Sequence, residues 1–232
     1  MSVAGTGRQR SRRGQGEQLR EEVLAAVNRL LAEWGSDEKL TMRAVAKEVG
    51  VAAPSIYLHF ADKAELVWAA LADKYAQLAD QMHRADEAAV AGGPRARLRA
   101  QVLAYCRFAL DNPGHYRLMY EVSQPAVDPE RVGRHPSRLV SRSFRQAVAR
   151  CADAGHTLAL PWHQAVHTLW TGLHGIVSLQ HSLSLTSSPA MVEGLADGLL
   201  DVIVSAEPDG GTQPAQTEVD RLIAATVADD TD

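Results

Sequence analysis

The chain has 232 residues, 46% of them hydrophobic, which is enough for one large or two small domains with a buried core. A net charge of -4 and a pI near 6.1 exclude bulk attraction to nucleic acid, so any binding to a polyanion must rest on locally placed charge. Two cysteines without metal-type spacing, no apolar h-region near the N-terminus and no apolar run of membrane-spanning length argue against a disulfide scaffold, secretion and membrane insertion, and for a cytoplasmic protein with reduced thiols. The charge is unevenly spread. Residues 1–63 carry ten Lys and Arg against eight Asp and Glu, whereas the remainder carries fourteen against twenty.

In chain order, residues 1–16 hold Arg8, Arg10, Arg12 and Arg13 among Gly, Ser and Gln with no acidic residue, and read as a disordered basic arm. Such an arm either tracks a nucleic-acid backbone or is a solvated tail. From Glu17, the spacing of Leu19, Val23, Val27, Leu30 and Trp34 predicts a helix ended by Gly35. Leu40 to Phe60, LTMRAVAKEVGVAAPSIYLHF, then reads as helix, tight turn, helix. Thr41 is the expected N-cap, Leu40 staples onto Val45, and Val45 and Val49 share a face. Gly50 takes the left-handed position that ends the first helix, Val51 turns inward, and Pro54 opens the second helix in place of the poor caps Ala52 and Ala53. Ile56 and Phe60 form its buried face. Ser55, Tyr57 and His59 are left to point outward beside Lys63 and Arg43, a set suited to phosphate oxygens and base edges.

Asp62 and Glu65 form a capping box for a long fourth helix ending near Val90, where Gly92, Gly93 and Pro94 break it. Being continuous, it can swing the reading unit when its far end moves. Further helices are predicted over Arg95–Leu110, His115 to about Val122, Ser137–Ala154, Pro161–Leu183 and Pro189 or Ala190 to Ser205, with a loop over Ser123–Pro136. From Glu207 the tail is acidic with Gly and Pro and reads as disordered, with a marginal helix around Val219, Leu222 and Ile223. No segment alternates like a strand. The expected fold is all-α, divided into the arm 1–16, a three-helix reading domain 17–62, a helical body 63–206 and the tail 207–232.

The patterns T-x-R-x-x-A-x-x-x-G-V and P-S-I-Y-x-H-F-x-x-K-x-x-L resemble the helix-turn-helix of the TetR family of bacterial transcriptional regulators. That resemblance implies phosphate contacts from Thr41, Tyr57, His59 and Lys63, and base-edge contacts from Arg43, Pro54, Ser55 and also Tyr57. Ala53 departs from the longer polar side chain common there and offers only a methyl group, suited to thymine. LWTGLHG at 169–175, together with NPGHYRLMY, resembles the Trp-His-Gly type of TetR C-terminal domain. The resemblance further implies a homodimer joined through the last two long helices, a pseudo-palindromic double-stranded DNA operator, and a small-molecule effector that releases it.

His163, His167, His174 and His181 fall within about 40° of one another on their helix, with Trp170 on nearly the same line. His163 and His167 have the spacing of two metal ligands on one helix, and HQAVH looks like a zinc-peptidase motif. Gln164 stands where that chemistry needs a carboxylate base, so peptidase activity is excluded. Metal sensing stays open beside the favoured reading, a packed or dimerising face near Gly172 and Gly175, and no cofactor is expected. Tyr105, Phe108, Tyr116, Met119 and Tyr120, with Trp170 and His174, line either an apolar effector pocket or an ordinary core. No phosphate loop, nucleophile elbow or carboxylate pair appears, so no enzyme is expected.

Overall fold

The computed structural model describes residues 7–34, 38–120, 135–183 and 188–227. Ten α-helices are described: α1 (Gly7–Trp34), α2 (Met42–Val49), α3 (Ala53–Tyr57), α4 (Lys63–Ala88), α5 (Gly93–Asp111), α6 (Pro113–Tyr120), α7 (Arg138–Asp153), α8 (Trp162–Leu183), α9 (Pro189–Ile203) and α10 (Glu218–Val227). A 3-10 turn, Val90–Gly92, separates α4 from α5. Among the described residues the sole extended pairing is an isolated antiparallel bridge between Leu158 and Val204. The fold is all-α, as the sequence predicts. Gly35, most of the loop expected over Ser123–Pro136, and residues 1–6 and 228–232 lie outside the described residues.

Two compact units are present. The first contains α1, α2, α3, α4 as far as Lys74, and α6. Val23, Val27 and Leu31 of α1, Leu40, Val45 of α2, Ile56 of α3, Phe60 and Leu66 are buried there. The second unit contains α4 from Tyr75, α5 and α7 to α10. Its core is built from Leu78 and Met82, Leu98 and Val102, Phe144 and Val148, Leu169, Leu173 and Val177, and Val192, Ala196 and Leu200, each set repeating at three or four residues.

Asp86 is the main polar element inside the second unit. Its carboxylate accepts from Arg97 Nε at 3.0 Å and from Gln101 Nε2 at 2.7 Å, and pairs with Arg150, so one acid joins α4, α5 and α7. Burial by itself would raise this carboxyl, but the hydrogen bonds from Arg97 and Gln101 and the charges of both arginines hold it below the usual value. Along the opposite side of α5, Arg95, Arg99 and Arg107 pair with Asp201, Asp197 and Glu193 of α9, the last two at 2.6 and 2.7 Å.

Two expectations are corrected. α1 starts at Gly7 rather than Glu17, so residues 7–16 continue a helix instead of forming a disordered arm. Arginine and glutamine are good helix formers, and a helix already nucleated downstream extends at little cost despite Gly14 and Gly16. The tail up to Val227 is also ordered. Gln213 accepts from Leu158 N at 3.1 Å and donates to His156 O at 2.7 Å, Gly210 N donates to Gly155 O at 3.1 Å, and Asp209 accepts from Thr157 Oγ1. Buried Asp220 then accepts from Gln164 N at 3.0 Å and faces His163 Nδ1 at 3.3 Å, which docks α10 onto the start of α8. Composition signals disorder only when a segment lacks partners. Here backbone and side-chain acceptors replace an apolar face.

Smaller shifts occur at helix ends. α5 begins at Gly93 rather than Arg95 and α6 at Pro113 rather than His115, because proline suits a first helical turn. Cys106 and Cys151 are free and buried, and burial pushes their thiols up to about 12 and about 11. Both therefore stay protonated at neutral pH. In the native protein neither should be titrated by a thiol-exchange reagent over minutes at pH 8, with two thiols appearing on denaturation; prompt native reaction at either would contradict the burial.

Candidate nucleic-acid interface

The local physics of the helix-turn-helix follows its residues. Thr41 caps α2 from extended backbone (φ -133°), its Oγ1 accepting from Ala44 N at 3.1 Å. This leaves the hydroxyl hydrogen available to a phosphate oxygen. Gly50 is left-handed at φ 81°, with its amide and that of Val51 both donating to Ala46 O, so the turn is closed by backbone alone. α3 starts at Ala53 with Pro54 in its first turn, and Ala52 supplies no side-chain cap. Asp62 accepts from Glu65 N at 2.8 Å. Glu65 returns a bond to Ala61 N at 2.6 Å, one residue before the usual capping-box partner.

Leu40, Val45, Ile56 and Phe60 point into the first unit, each no more than 1% exposed. The surface left over contains exposed Thr41, Arg43, Pro54 and Tyr57, and half-buried Ala53, Ser55, His59 and Lys63. Tyr57 is 55% exposed, so its phenol stands well clear of the core. Every residue expected to contact DNA is thus on or at the edge of the surface of one helix-turn-helix. Sequence reasoning missed Leu58, which is 83% exposed. Inside the apolar-looking run IYLHF nothing marked it as a surface residue. Yet its place between Tyr57 and His59 is off the Ile56–Phe60 face, and an exposed leucine there suits a thymine methyl or a sugar.

The residues proposed for an effector pocket fall in both units. Tyr105 and Phe108 are buried in the second, with the Tyr105 ring 5.9 Å from that of Phe144, and Trp170 and His174 are half-buried on α8. Tyr116 and Met119 are buried in the first, where Tyr116 and Tyr120 have ring centroids 4.8 Å apart. Trp170 Nε1 is buried without a hydrogen-bond partner, as is His115 Nδ1 beside Tyr116. Burial, then the charge of Lys74, lowers the His115 pKa.

On α8 the histidine line divides. His163 is engaged by Asp220, whereas His167 is exposed and His174 and His181 are half-buried. Among the described residues no group of three or more His, Cys, Asp or Glu side chains could hold a metal ion. Of the two glycines, a Cβ at Gly172 would come within 2.6 Å of Leu199 Cδ2, so this position is kept small by α9. Gly175 faces open space. No helix among the described residues is long and apolar enough to cross a membrane.

An N-terminal unit that presents a capped helix, a glycine turn and a second helix with an outward polar face defines a helix-turn-helix transcriptional regulator. The chain belongs to the TetR family: residues 23–70 match the family described as "Bacterial regulatory proteins, tetR family", and residues 98–203 match "Tetracyclin repressor-like, C-terminal domain". It is 25% identical over 224 residues to the HTH-type transcriptional regulator Rv1816 of Mycobacterium tuberculosis, covering 84% of this chain and 95% of that one. Among solved structures, a TetR family transcription regulator from Marinobacter aquaeolei VT8 has a TM-score of 0.66 at 20% identity, covering 83% of this chain and 98% of that one. The fatty acid degradation regulator FadR from Bacillus halodurans has a TM-score of 0.66 at 16% identity, over 78% and 97%.

Proposed function

We propose that this TetR-family regulator is a one-component repressor that binds a pseudo-palindromic operator as a homodimer and leaves it when a small molecule binds the helical body. The observation that carries the reading is the division of the helix-turn-helix into a buried apolar face and a surface bearing Arg43, Ser55, Tyr57 and Lys63. In it, α3 lies in the major groove. Arg43, Pro54, Ser55 and Ala53 meet base edges, while Thr41, Tyr57, His59 and Lys63 hold phosphates. The activity is binding rather than catalysis.

Dimerisation is supported by the outer surfaces of α8 and α9, where Leu179, Met191, Leu195 and Val202 are exposed and Gly175, Gly194 and Gly198 meet nothing within 4 Å. Effector binding to the second unit is supported by Tyr105 and Phe108 of α5 and by the orphaned Trp170 Nε1 of α8, since a buried polar atom without a partner invites a ligand that supplies one. An effector acts by binding better to the dimer form whose reading heads are wrongly spaced.

The test begins by selecting bound duplexes from a random pool. Against the selected site, Arg43→Ala should cost about 1–3 kcal/mol and relax preference at one base position. Lys63→Ala should weaken all duplexes alike and reduce the salt slope by about 1. An unaltered preference profile for Arg43→Ala would remove its base-reading role, and failure to enrich any duplex would end the repressor reading.

A further inference from the structure

A cleft of about 420 Å³ opens in the second unit where the tail crosses the start of α5. Its polar groups come from Arg95 and Arg99 of α5, His156 after α7 and Glu207 of the tail, and Pro94, Ala96, Ala206 and Pro208 add apolar wall. Apart from Arg99 and His156, these residues fall outside the matched span 98–203, so the cleft is built mainly from what this chain adds to the family domain. His156 shows what the cleft lacks. The residue is 4% exposed, and its Nδ1 lies 2.8 Å from Ser205 O. A carbonyl can only accept, so Nδ1 holds the ring proton and Nε2 of the neutral ring is an acceptor. Among the described residues nothing donates to Nε2, although the ring borders the cleft. An acceptor so nearly buried and without a protein donor invites a ligand that brings an N–H. Glu207, exposed on the same cleft, is a second acceptor.

The groups contributed by α5 have the opposite character. Gly92 caps that helix without a side-chain bond, and Gly93 follows at φ 80° and ψ 179°, a conformation open essentially to glycine. The positive end of a 19-residue helix therefore carries no side-chain cap. Arg95 bonds Val204 O and Asp201 through Nε and Nη2, and Arg99 bonds Asp197 through the same two atoms, so among the described residues Nη1 of each guanidinium keeps its hydrogens unspent. We propose that this cleft binds a small zwitterion of the α-amino acid class, its carboxylate at the start of α5 with Arg95 and Arg99, and its ammonium donating to His156 Nε2 and Glu207. A bare anion leaves both acceptors unmet and faces Glu207 as a like charge, while a bare cation faces the arginines. A ligand carrying both charges on neighbouring atoms satisfies the donors and the acceptors together. The small apolar residues around them leave room for a short side chain.

The test is isothermal titration of the full chain with each standard amino acid in turn, and with acetate and methylammonium as the two halves of the ligand. At least one amino acid should bind at one per chain, and neither half should approach its affinity. Glu207→Gln and His156→Asn should each weaken that amino acid by about tenfold or more, the worth of one hydrogen bond to a charged group. Asparagine at 156 keeps a donor for Ser205 O and lacks an atom in the place of Nε2. Glu207→Gln alters an exposed residue and decides the matter if circular dichroism shows the position 156 variant to be unfolded. Three results would each overturn the proposal: no amino acid bound, acetate bound as tightly as the best amino acid, or a bound amino acid indifferent to Glu207→Gln. The first would leave an empty cleft, the second a simple anion site, and the third a ligand held elsewhere on the chain.

Discussion

Asp86→Asn should destabilise the protein by about 3 kcal/mol at pH 7, measured as a shift in the urea midpoint without a change in slope. Asp86 is 4% exposed and serves Arg97, Arg150 and Gln101 at once. Removing its charge leaves two guanidiniums facing each other across α5 and α7. The effect should sit at the low end for a broken buried pair, because Arg97 and Arg150 keep 27% and 33% of their side-chain surface in water. The pH dependence follows from the direction of the shift. A carboxyl whose folded value is depressed adds stability that is complete above its unfolded value, about 3.9, and disappears as pH falls through the folded one. The penalty of Asp86→Asn should therefore be constant from pH 7 to about 5 and shrink below about 4. A loss under 1 kcal/mol at pH 7, or a penalty that grows on acidification, would show that the acid does not hold the three helices together.

The Asp86 cluster also marks where reading a sequence loses power. Apolar repeats at three and four residues identified all the long helices, and Gly50, Pro54, Thr41 and the Asp62/Glu65 pair sit where punctuation placed them, with only the returning bond of Glu65 displaced by one residue. These signals are local, depending on what one turn of helix demands of its own residues. Asp86 and its partners lie 11, 15 and 64 residues apart, and no periodicity shows which acid meets which base across such separations. The same holds for the tail, whose bonds to the stretch before α8 span about fifty residues or more. At the candidate interface the outward residues were legible because the buried ones were. Leu58 was not, since an apolar side chain on the wet side of a short helix looks in sequence like one on the dry side.

If the proposed homodimer forms through α9, the largest functional effect is expected there, because that helix presents three different surfaces. Val192, Ala196, Leu200 and Ile203 face the core, and Glu193, Asp197 and Asp201 face the arginines of α5. Met191, Leu195 and Val202 with Gly198 recur at four, three and four residues on a third line that meets no residue of its own unit closely enough to bury it, with 42%, 49% and 71% of the three large side chains exposed. A soluble helix tolerates single exposed apolar residues, but a continuous stripe with glycines admitting close approach is the surface of a helix that packs against another. Leu195→Glu/Val202→Glu should therefore yield a folded monomer in sedimentation equilibrium at micromolar concentration, since two like charges would be buried against their copies across a two-fold axis. Uncoupling the two reading heads should weaken binding to the selected operator by between about 10² and 10⁴, the range lost when a second contact stops being intramolecular. Binding of one head to a half-site should be unchanged, which separates this effect from damage to α3. A double variant that sediments as the wild type does, or a monomer that binds the whole operator as tightly, would refute the paired arrangement.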